Sequence, residues 1–216
     1  MYIFCILSRV SAFEPEAEQD TAALSKREFV LPYSMAVKTS IEYTEGMYFI
    51  TFTCQNWLSL FEITKSYDTV YKWFDNLKTK GHYVKGYVIM PNHLHAIIDF
   101  GISVKSINII VSNGKRFMAY EIVNRLEEQN KAAILLQLSE AVINSDRDKG
   151  KKHQVFERSF DCKEITSQYF FKQKLSYMHN NPCSGVWKLV QNPVDYVHSS
   201  ANYLTKVQGI YLITDQ

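Results

Sequence analysis

The stretch GYVIMPNHLHAIIDF, residues 86–100, contains two apolar segments separated by Pro91 and Asn92. Both segments are rich in β-branched and aromatic residues, which favour strands, whereas proline and asparagine are typical of turns. The stretch therefore predicts an antiparallel hairpin, with HYVKGYVIM as its first strand and HLHAIIDF as its second. His93 and His95 stand in the second strand, where an apolar pattern is expected.

The two histidines lie on the same face of the predicted strand, because side chains two positions apart point to one side. Neighbouring imidazoles repel each other when both are protonated, but they offer a metal two nitrogen ligands when both are neutral. A pair of partly buried histidines bonded to protein partners also fits the pattern. The motif HxH is therefore a weak signal by itself. Other parts of the chain are needed to choose between a metal site and a packed histidine pair.

Before the hairpin, the sequence predicts one strand and one helix. MYFITFTCQNW, residues 47–57, has the aromatic and β-branched composition of a strand. SYDTVYKWFDNLKTKG, residues 66–81, has apolar residues at the spacing of an amphipathic helix that ends at its glycine. The predicted buried side of that helix consists of Val70, Trp73, Phe74 and Leu77.

Immediately after the hairpin, residues 106–130 predict a long helix in which Gly114 allows a close approach. Residues 131–154 are less clear and favour a short helix followed by a charged loop. VFERSF, residues 155–160, predicts a fourth strand. The predicted buried side of the long helix consists of Ile110, Phe117, Met118 and Leu126.

The last predicted helix is TSQYFFKQKLSYMHNNP, residues 166–182. Thr166 or Ser167 caps its start, and Pro182 ends it because proline cannot continue a helix. Its core-facing residues are predicted to be Phe171, Leu175 and Met178.

The order strand, helix, strand, strand, helix, strand, helix predicts an α+β fold. Its expected form is a ferredoxin-like antiparallel sheet with helices on one face. Residues 1–38 are polar and weakly patterned, so they predict an N-terminal extension of unknown role. Residues 39–216 are expected to form the single functional domain, since 216 residues with 46% hydrophobic content suffice for one packed core.

Cysteine spacing and the length of apolar runs indicate where the protein is located in the cell and which kinds of metal or redox site are not supported. Cys5, Cys54, Cys162 and Cys183 are far apart and include no CxxC pair, so a zinc ribbon or dithiol redox site is not supported. A reduced, cytoplasmic protein is expected. No apolar run approaches the ~18–20 residues of a membrane-spanning helix, and no signal peptide or membrane partner is predicted.

The segment YMHNNP contributes a second group of polar residues. Tyr177 and Asn181 are four positions apart and share one face of a helix. A carboxamide oxygen from Asn181 is a hard ligand for Mg²⁺ or Mn²⁺, and a nearby phenol can act as a nucleophile on a substrate held by that metal. Asp99, on the same strand face as the histidines, is a further candidate ligand. An ordinary tyrosine followed by a helix stop is the alternative interpretation.

In combination and in this order, GYVIMPNHLHAII, VFERSF, YMHNNPCSGVW and NPVDYVHSSANYL resemble the REP-associated tyrosine transposases. That family belongs to the HUH single-strand endonucleases, where HUH denotes histidine, hydrophobic residue, histidine. The resemblance spans roughly residues 42–204. It implies the HUH fold, with His93, His95 and Asn181 as metal ligands and Tyr177 as the single catalytic nucleophile.

The resemblance also implies a reaction and its partners. Members of the family use Mg²⁺ or Mn²⁺ to cleave and rejoin single-stranded DNA next to hairpins, through a 5′-phosphotyrosine link that releases a 3′-hydroxyl. Lys115, Arg116, Lys172 and Lys174 are the expected phosphate contacts, since affinity for DNA comes largely from its backbone charge. Relatives act as monomers or as homodimers, and the sequence does not choose between them.

Two other functions fit the same residues. One is a hairpin DNA-binding protein of the same fold that does not cleave. The other is a metal-dependent hydrolase in which water, rather than Tyr177, is the nucleophile. His179, two residues after the tyrosine, is expected to point away from the site and is not a candidate base.

Overall fold

The structure is a computed structural model that describes residues 45–204. The predicted extension over residues 1–38, and its boundary with the functional domain, lie outside the described residues. Four strands are described: β1 (Gly46–Thr53), β2 (His82–Ile89), β3 (His93–Phe100) and β4 (Asp161–Glu164). The described α-helices are α1 (Leu60–Ile63), α2 (Tyr67–Lys78), α3 (Ile107–Glu128), α4 (Ala132–Glu140), α5 (Asn144–Arg147), α6 (Gln168–Asn180) and α7 (Ala201–Leu204).

The strands form one antiparallel sheet in the order β2-β3-β1-β4. β2 and β3 are the predicted hairpin, and Pro91 and Asn92 lie in the connection between them. β1 occupies the centre beside β3, with Thr53 opposite His93 and Thr51 opposite His95. The predicted α+β fold with an antiparallel sheet is confirmed.

Helices cover both faces of this sheet, which differs from the predicted single helical layer. α2 and α3 pack on one face, and Met178 of α6 packs on the other against Phe49, Val88 and Ile97. The physical reason is that β3 is apolar on both sides, because Leu94 and Ile97, on opposite faces of the strand, are both fully buried. A sheet of this kind needs cover on each face.

The contact between α2 and α3 follows the predicted pattern at most positions. Val70, Trp73, Phe74 and Leu77 of α2 are all buried, as the periodicity indicates. A Cβ atom on Gly114 of α3 would overlap the indole of Trp73, so the predicted close approach is confirmed. In this helix pair, glycine is required for space rather than for backbone freedom.

Two predictions about individual segments were wrong. The strand predicted at VFERSF is only a single bridge between Phe156 and Cys54, and β4 begins after that segment. The segment VFERSF does not alternate as a strand would, because Val155 and Phe156 are adjacent in sequence and both buried. Phe117 was expected to be buried but is 65% exposed, since Met118 takes the buried position about 100° around the helix.

Two further observations bear on the sequence predictions. Cys54, Cys162 and Cys183 are free thiols. Across residues 45–204, the helices are too short or too polar to cross a membrane.

Candidate active site

The two histidines converge on one face of β3, beneath α6. Each is only 5% exposed, and their ring centroids are 4.7 Å apart. The ring of Phe49, on the neighbouring strand, stacks against His95 at 5.4 Å. The predicted common orientation is therefore correct, and an apolar surround separates both imidazoles from water.

Hydrogen bonds determine which ring nitrogen of His93 carries the proton and which keeps an available lone pair. The amide of Asn92 donates from Nδ2 to the backbone carbonyl of Trp57 at 3.1 Å. This orients Oδ1 of Asn92 toward Nδ1 of His93, 2.6 Å away. Because that oxygen can only accept, Nδ1 carries the proton, and Nε2 of His93 keeps an available lone pair.

The same tautomer is set at His95 by residues of two other elements. Nδ2 of Asn181 donates to Nε2 of His95 at 3.1 Å, so this nitrogen is unprotonated. Nδ1 of His95 therefore donates to Oγ1 of Thr51, at 2.6 Å. Both imidazoles thus have an Nδ1 proton held by a neighbour and an Nε2 available as ligand, as is usual for metal-binding histidines.

Burial also keeps both rings neutral. It lowers the pKa of His93 to about 4, because the interior disfavours the charged form. Burial lowers the pKa of His95 well below its ordinary value, and the neighbouring charges of His93 and Lys174 lower it further. At neutral pH the two rings are therefore neutral, with Nε2 unprotonated, and able to bind a cation without first losing a proton.

The donor atoms fit a divalent cation. The amide nitrogen of Asn181 and Nε2 of His95 are 3.1 Å apart, close to the ~3 Å between neighbouring ligands of an octahedral ion with bonds of ~2.1 Å. Turning the carboxamide about its Cβ–Cγ bond brings its oxygen to that position. Asp99 lies four residues further along β3, ~13 Å from His95, so it does not join the group.

No cluster of three or more histidine, cysteine, aspartate or glutamate side chains suited to a metal occurs among residues 45–204. A metal at this position would therefore have two imidazoles and the Asn181 amide as its protein ligands. That set leaves coordination positions open for substrate oxygens, which is a feature of catalytic rather than structural metal sites.

The phenol of Tyr177 lies beside this group. α6 begins at the predicted cap, where the hydroxyl of Ser167 accepts a bond from the backbone N–H of Phe170. Tyr177 is on the last turns of that helix, with its ring centroid 5.4 Å from that of His95. Its side chain is 54% exposed, so it faces both the histidines and solvent.

Of the two lysines predicted on α6, only Lys174 is at the site. Its ammonium lies 5.7 Å from the Tyr177 ring and 5.1 Å from the Phe49 ring. Burial lowers the pKa of Lys174, and the nearby charge of Lys163 lowers it further. Lys172 is exposed and lies about 140° around the helix from Tyr177.

Lys115 and Arg116 are on α3, which packs on the opposite face of the sheet. The ammonium of Lys115 donates to the carbonyls of Glu157 and Ser159, and burial lowers its pKa to about 8. Lys115 therefore holds a protein segment, which corrects the expectation that its charge is free for phosphate. Arg116 is exposed, stacks on the ring of Phe117, and lines a groove with the basic loop over residues 149–153.

His179 also has an internal partner, as expected from its position. Its side chain is buried, and Nε2 lies 2.8 Å from the hydroxyl of Ser200. The residue thus fastens α6 to the segment before α7 and stays away from Tyr177.

Three site residues were missed from the sequence: Thr51, Asn92 and Trp57. Thr51 could have been found, because a pairing register that aligns β1 with β3 places a hydroxyl opposite His95. Asn92 was interpreted only as a turn residue, although it directly precedes His93. Trp57 was interpreted as the last residue of a strand, but β1 ends at Thr53.

Comparison with solved structures gives the fold a known relative. The chain is similar to a REP-associated tyrosine transposase whose structure was determined bound to a REP hairpin, with a TM-score of 0.51 and 15% identity. That match covers 80% of this chain and 88% of the other. A second similar structure, of a protein described as a candidate transposase from Deinococcus radiodurans, has a TM-score of 0.36, 13% identity, and coverage of 66% and 96%.

Searches of family models and of curated proteins find no match to the chain. The structural likeness therefore establishes the fold alone: residues 45–204 have the α+β fold of the REP-associated tyrosine transposase.

Proposed function

We propose that this protein is a single-strand DNA transposase that cleaves and rejoins DNA next to hairpins through a 5′-phosphotyrosine intermediate. The observation that carries the proposal is the position of Tyr177, a half-exposed phenol 5.4 Å from one of two buried imidazoles with available lone pairs. In this proposal the phenol is the nucleophile, the histidine pair holds the cation, and the exposed side of the phenol gives access to the substrate.

Burial of the histidines alone does not explain this arrangement. Thr51, Asn181 and Asn92 bond three of the four ring nitrogens, and the fourth, Nε2 of His93, keeps its lone pair at a site that also contains a half-exposed phenol. These features cost stability, and such costs are typical of functional sites.

In the proposed reaction, Oη of Tyr177 attacks the phosphorus of a phosphodiester. The Oη–P bond forms while the bond from phosphorus to the 3′-oxygen breaks, the phenol releases its proton to solvent, and the leaving oxygen takes up a proton. His93, His95 and Asn181 would hold Mg²⁺ or Mn²⁺, and the bound cation would supply charge neutralisation at the phosphate oxygens. Attack by a 3′-hydroxyl on the phosphotyrosine reverses these bond changes and rejoins the strand.

Cationic side chains provide the remaining substrate contacts in this proposal. Lys174 faces the ring of Tyr177 and is placed to contact the phosphate that reacts. Lys172 and Arg116 are exposed and would contact more distant phosphates, with affinity that falls as salt rises. The partner is single-stranded DNA with hairpins, bound by a monomer or a homodimer.

The decisive experiment is formation of a covalent adduct. The full chain is incubated with a labelled DNA hairpin carrying single-stranded flanks and Mg²⁺ or Mn²⁺, and adducts are separated under denaturing conditions. Wild type is expected to form an adduct, and Tyr177→Phe to form none. Tyr169→Phe is the matched control, because Tyr169 is an exposed tyrosine of the same helix about 12 Å away and should behave as wild type.

Other results would select the alternative functions. Cleavage that survives Tyr177→Phe without any adduct would indicate a hydrolase that uses water. Tight hairpin binding by wild type, with no cleavage under either metal, would indicate a DNA-binding protein that retains only the fold.

A further inference from the structure

Trp57 is a large apolar side chain left in solvent beside the candidate active site. It is 62% exposed, and its ring centroid is 6.1 Å from that of His93, at 70° between the planes. Trp57 therefore flanks the histidine pair on the His93 side, while Tyr177 flanks it on the His95 side. The described residues offer the indole little core contact, and burial does not explain its position.

The backbone that holds the indole of Trp57 in solvent has a conformation that tryptophan seldom adopts. Asn56 and Trp57 both have left-handed conformations, with φ of 53° and 57°. Bulky side chains seldom adopt this region, and two such residues in succession are strained. Strain of this kind persists only where neighbouring bonds enforce it.

Those bonds come from both sides of the turn. The carboxylate of Glu157 accepts from the backbone N–H of Asn56 at 3.0 Å. The amide of Asn92 donates to the carbonyl of Trp57 with one end and accepts from His93 with the other. The Asn92 side chain thus fixes both the backbone of Trp57 and the ring orientation of His93. The indole and this candidate metal ligand therefore keep a constant relative position.

We infer that Trp57 is a stacking platform for an unpaired DNA base next to the phosphate that reacts at Tyr177. This rests on the proposed function, and it adds the position at which the single strand is gripped. A flat indole stacks on any base, since every base has a π-face, and aromatic faces are a usual means of holding single strands. Stacking one base would fix the strand relative to the histidines without reading its sequence.

The experiment uses two DNA hairpins, one with a single-stranded extension and one blunt. Binding is measured by anisotropy under Mn²⁺, with Tyr177→Phe as the background so that no cleavage intervenes. Trp57→Ala is expected to weaken binding of the extended hairpin about tenfold and to leave the blunt hairpin unchanged. Trp57→Phe, which keeps a smaller π-face, should lose less, and Leu136→Ala, at an equally exposed apolar residue of α4, should lose nothing.

Three further measurements separate stacking from a structural role. The fluorescent base 2-aminopurine, placed at successive positions of the extension, should be quenched most beside the cleaved phosphate, and Trp57→Ala should abolish that quenching. Trp57→Gly suits the left-handed backbone, so it should melt no lower than wild type while binding as weakly as Trp57→Ala. Mn²⁺ affinity should be unchanged in both variants, because Asn92 bonds the carbonyl of Trp57 and not its indole.

The possible failures are distinguishable. If the chain binds the extended hairpin and wild type forms its adduct, but Trp57→Ala binds as the parent does, the platform is refuted and the proposed function stands. Equal loss of both hairpins by Trp57→Ala would also refute the platform. If wild type binds neither hairpin and forms no adduct, both proposals fall together.

Discussion

Replacing Asn92 with alanine should weaken metal binding as well as the fold. Asn92 is 2% exposed, and its amide makes bonds of 2.6 Å to His93 and 3.1 Å to the Trp57 carbonyl. Removing a partner from a buried N–H costs ~1–3 kcal/mol, so the free energy of unfolding should fall by about 2 kcal/mol. Because the proton on Nδ1 then loses its acceptor, His93 can turn or change tautomer, and Mn²⁺ affinity should fall ~10–100-fold.

Titration calorimetry with Mn²⁺ at neutral pH and urea denaturation measure the two effects separately. Thr69→Ala is the matched control, because the buried hydroxyl of Thr69 donates to the Ser66 carbonyl at 2.6 Å, near the start of α2 and away from the histidines. It should lower stability by ~1 kcal/mol and leave Mn²⁺ affinity unchanged. The reasoning is refuted if Asn92→Ala binds Mn²⁺ like wild type, or if Thr69→Ala loses as much affinity.

Three further predictions concern stability and charge. Gly114→Ala should destabilise the protein by about 1–3 kcal/mol in urea denaturation, since the methyl group overlaps the α2 indole; wild-type stability would contradict that contact. Burial lowers the pKa of His179 and of His198 to about 4, below an unfolded value near 6.5, so these groups favour folding above pH 6.5 and lose that contribution as pH falls toward 4. The pKa values of His93 and His95 are lowered in the same direction, so the free energy of unfolding should drop by at least about 3 kcal/mol between pH 7 and pH 5, and a flat profile would be inconsistent with buried neutral rings. Lys115→Met should cost about 2 kcal/mol of stability with hairpin affinity retained, whereas Arg116→Met should leave stability unchanged and reduce the salt dependence of hairpin binding.

Sequence patterns correctly predicted those parts of the fold that depend only on neighbouring residues. The hairpin containing His93 follows from alternation and turn chemistry, and the buried side of α2 follows from helical spacing. The common face of His93 and His95 is a consequence of strand geometry, so no tertiary information was needed for it. Helical spacing alone could not predict whether Tyr177 lies near the histidines. It indicates which face of α6 carries Tyr177, but not the side of the sheet on which that helix packs.

Lys115 illustrates a different limit. From the sequence it is a charged residue on a helix next to Arg116, and nothing distinguishes the two. In the folded chain, one step of about 100° around α3 turns Lys115 toward the carbonyls of Glu157 and Ser159 and leaves Arg116 in solvent. Only the path of the segment over residues 155–160, which local patterns predicted wrongly as a strand, decides which cation is free.

Trp57 lies furthest beyond sequence-based prediction, for a reason that also bears on its function. Its left-handed backbone is opposed by local preference and is imposed by Asn92 and by Glu157, 101 positions after Asn56. Local propensity therefore predicts the wrong conformation at this point, and it does so because the tertiary bonds outweigh it. Since Asn92 bonds both Trp57 and His93, loss of its amide should release the strained turn together with the ligand, and Asn92→Ala should reduce 2-aminopurine quenching as well as Mn²⁺ affinity. Loss of affinity with quenching unchanged would show that the two sides of the site are held independently.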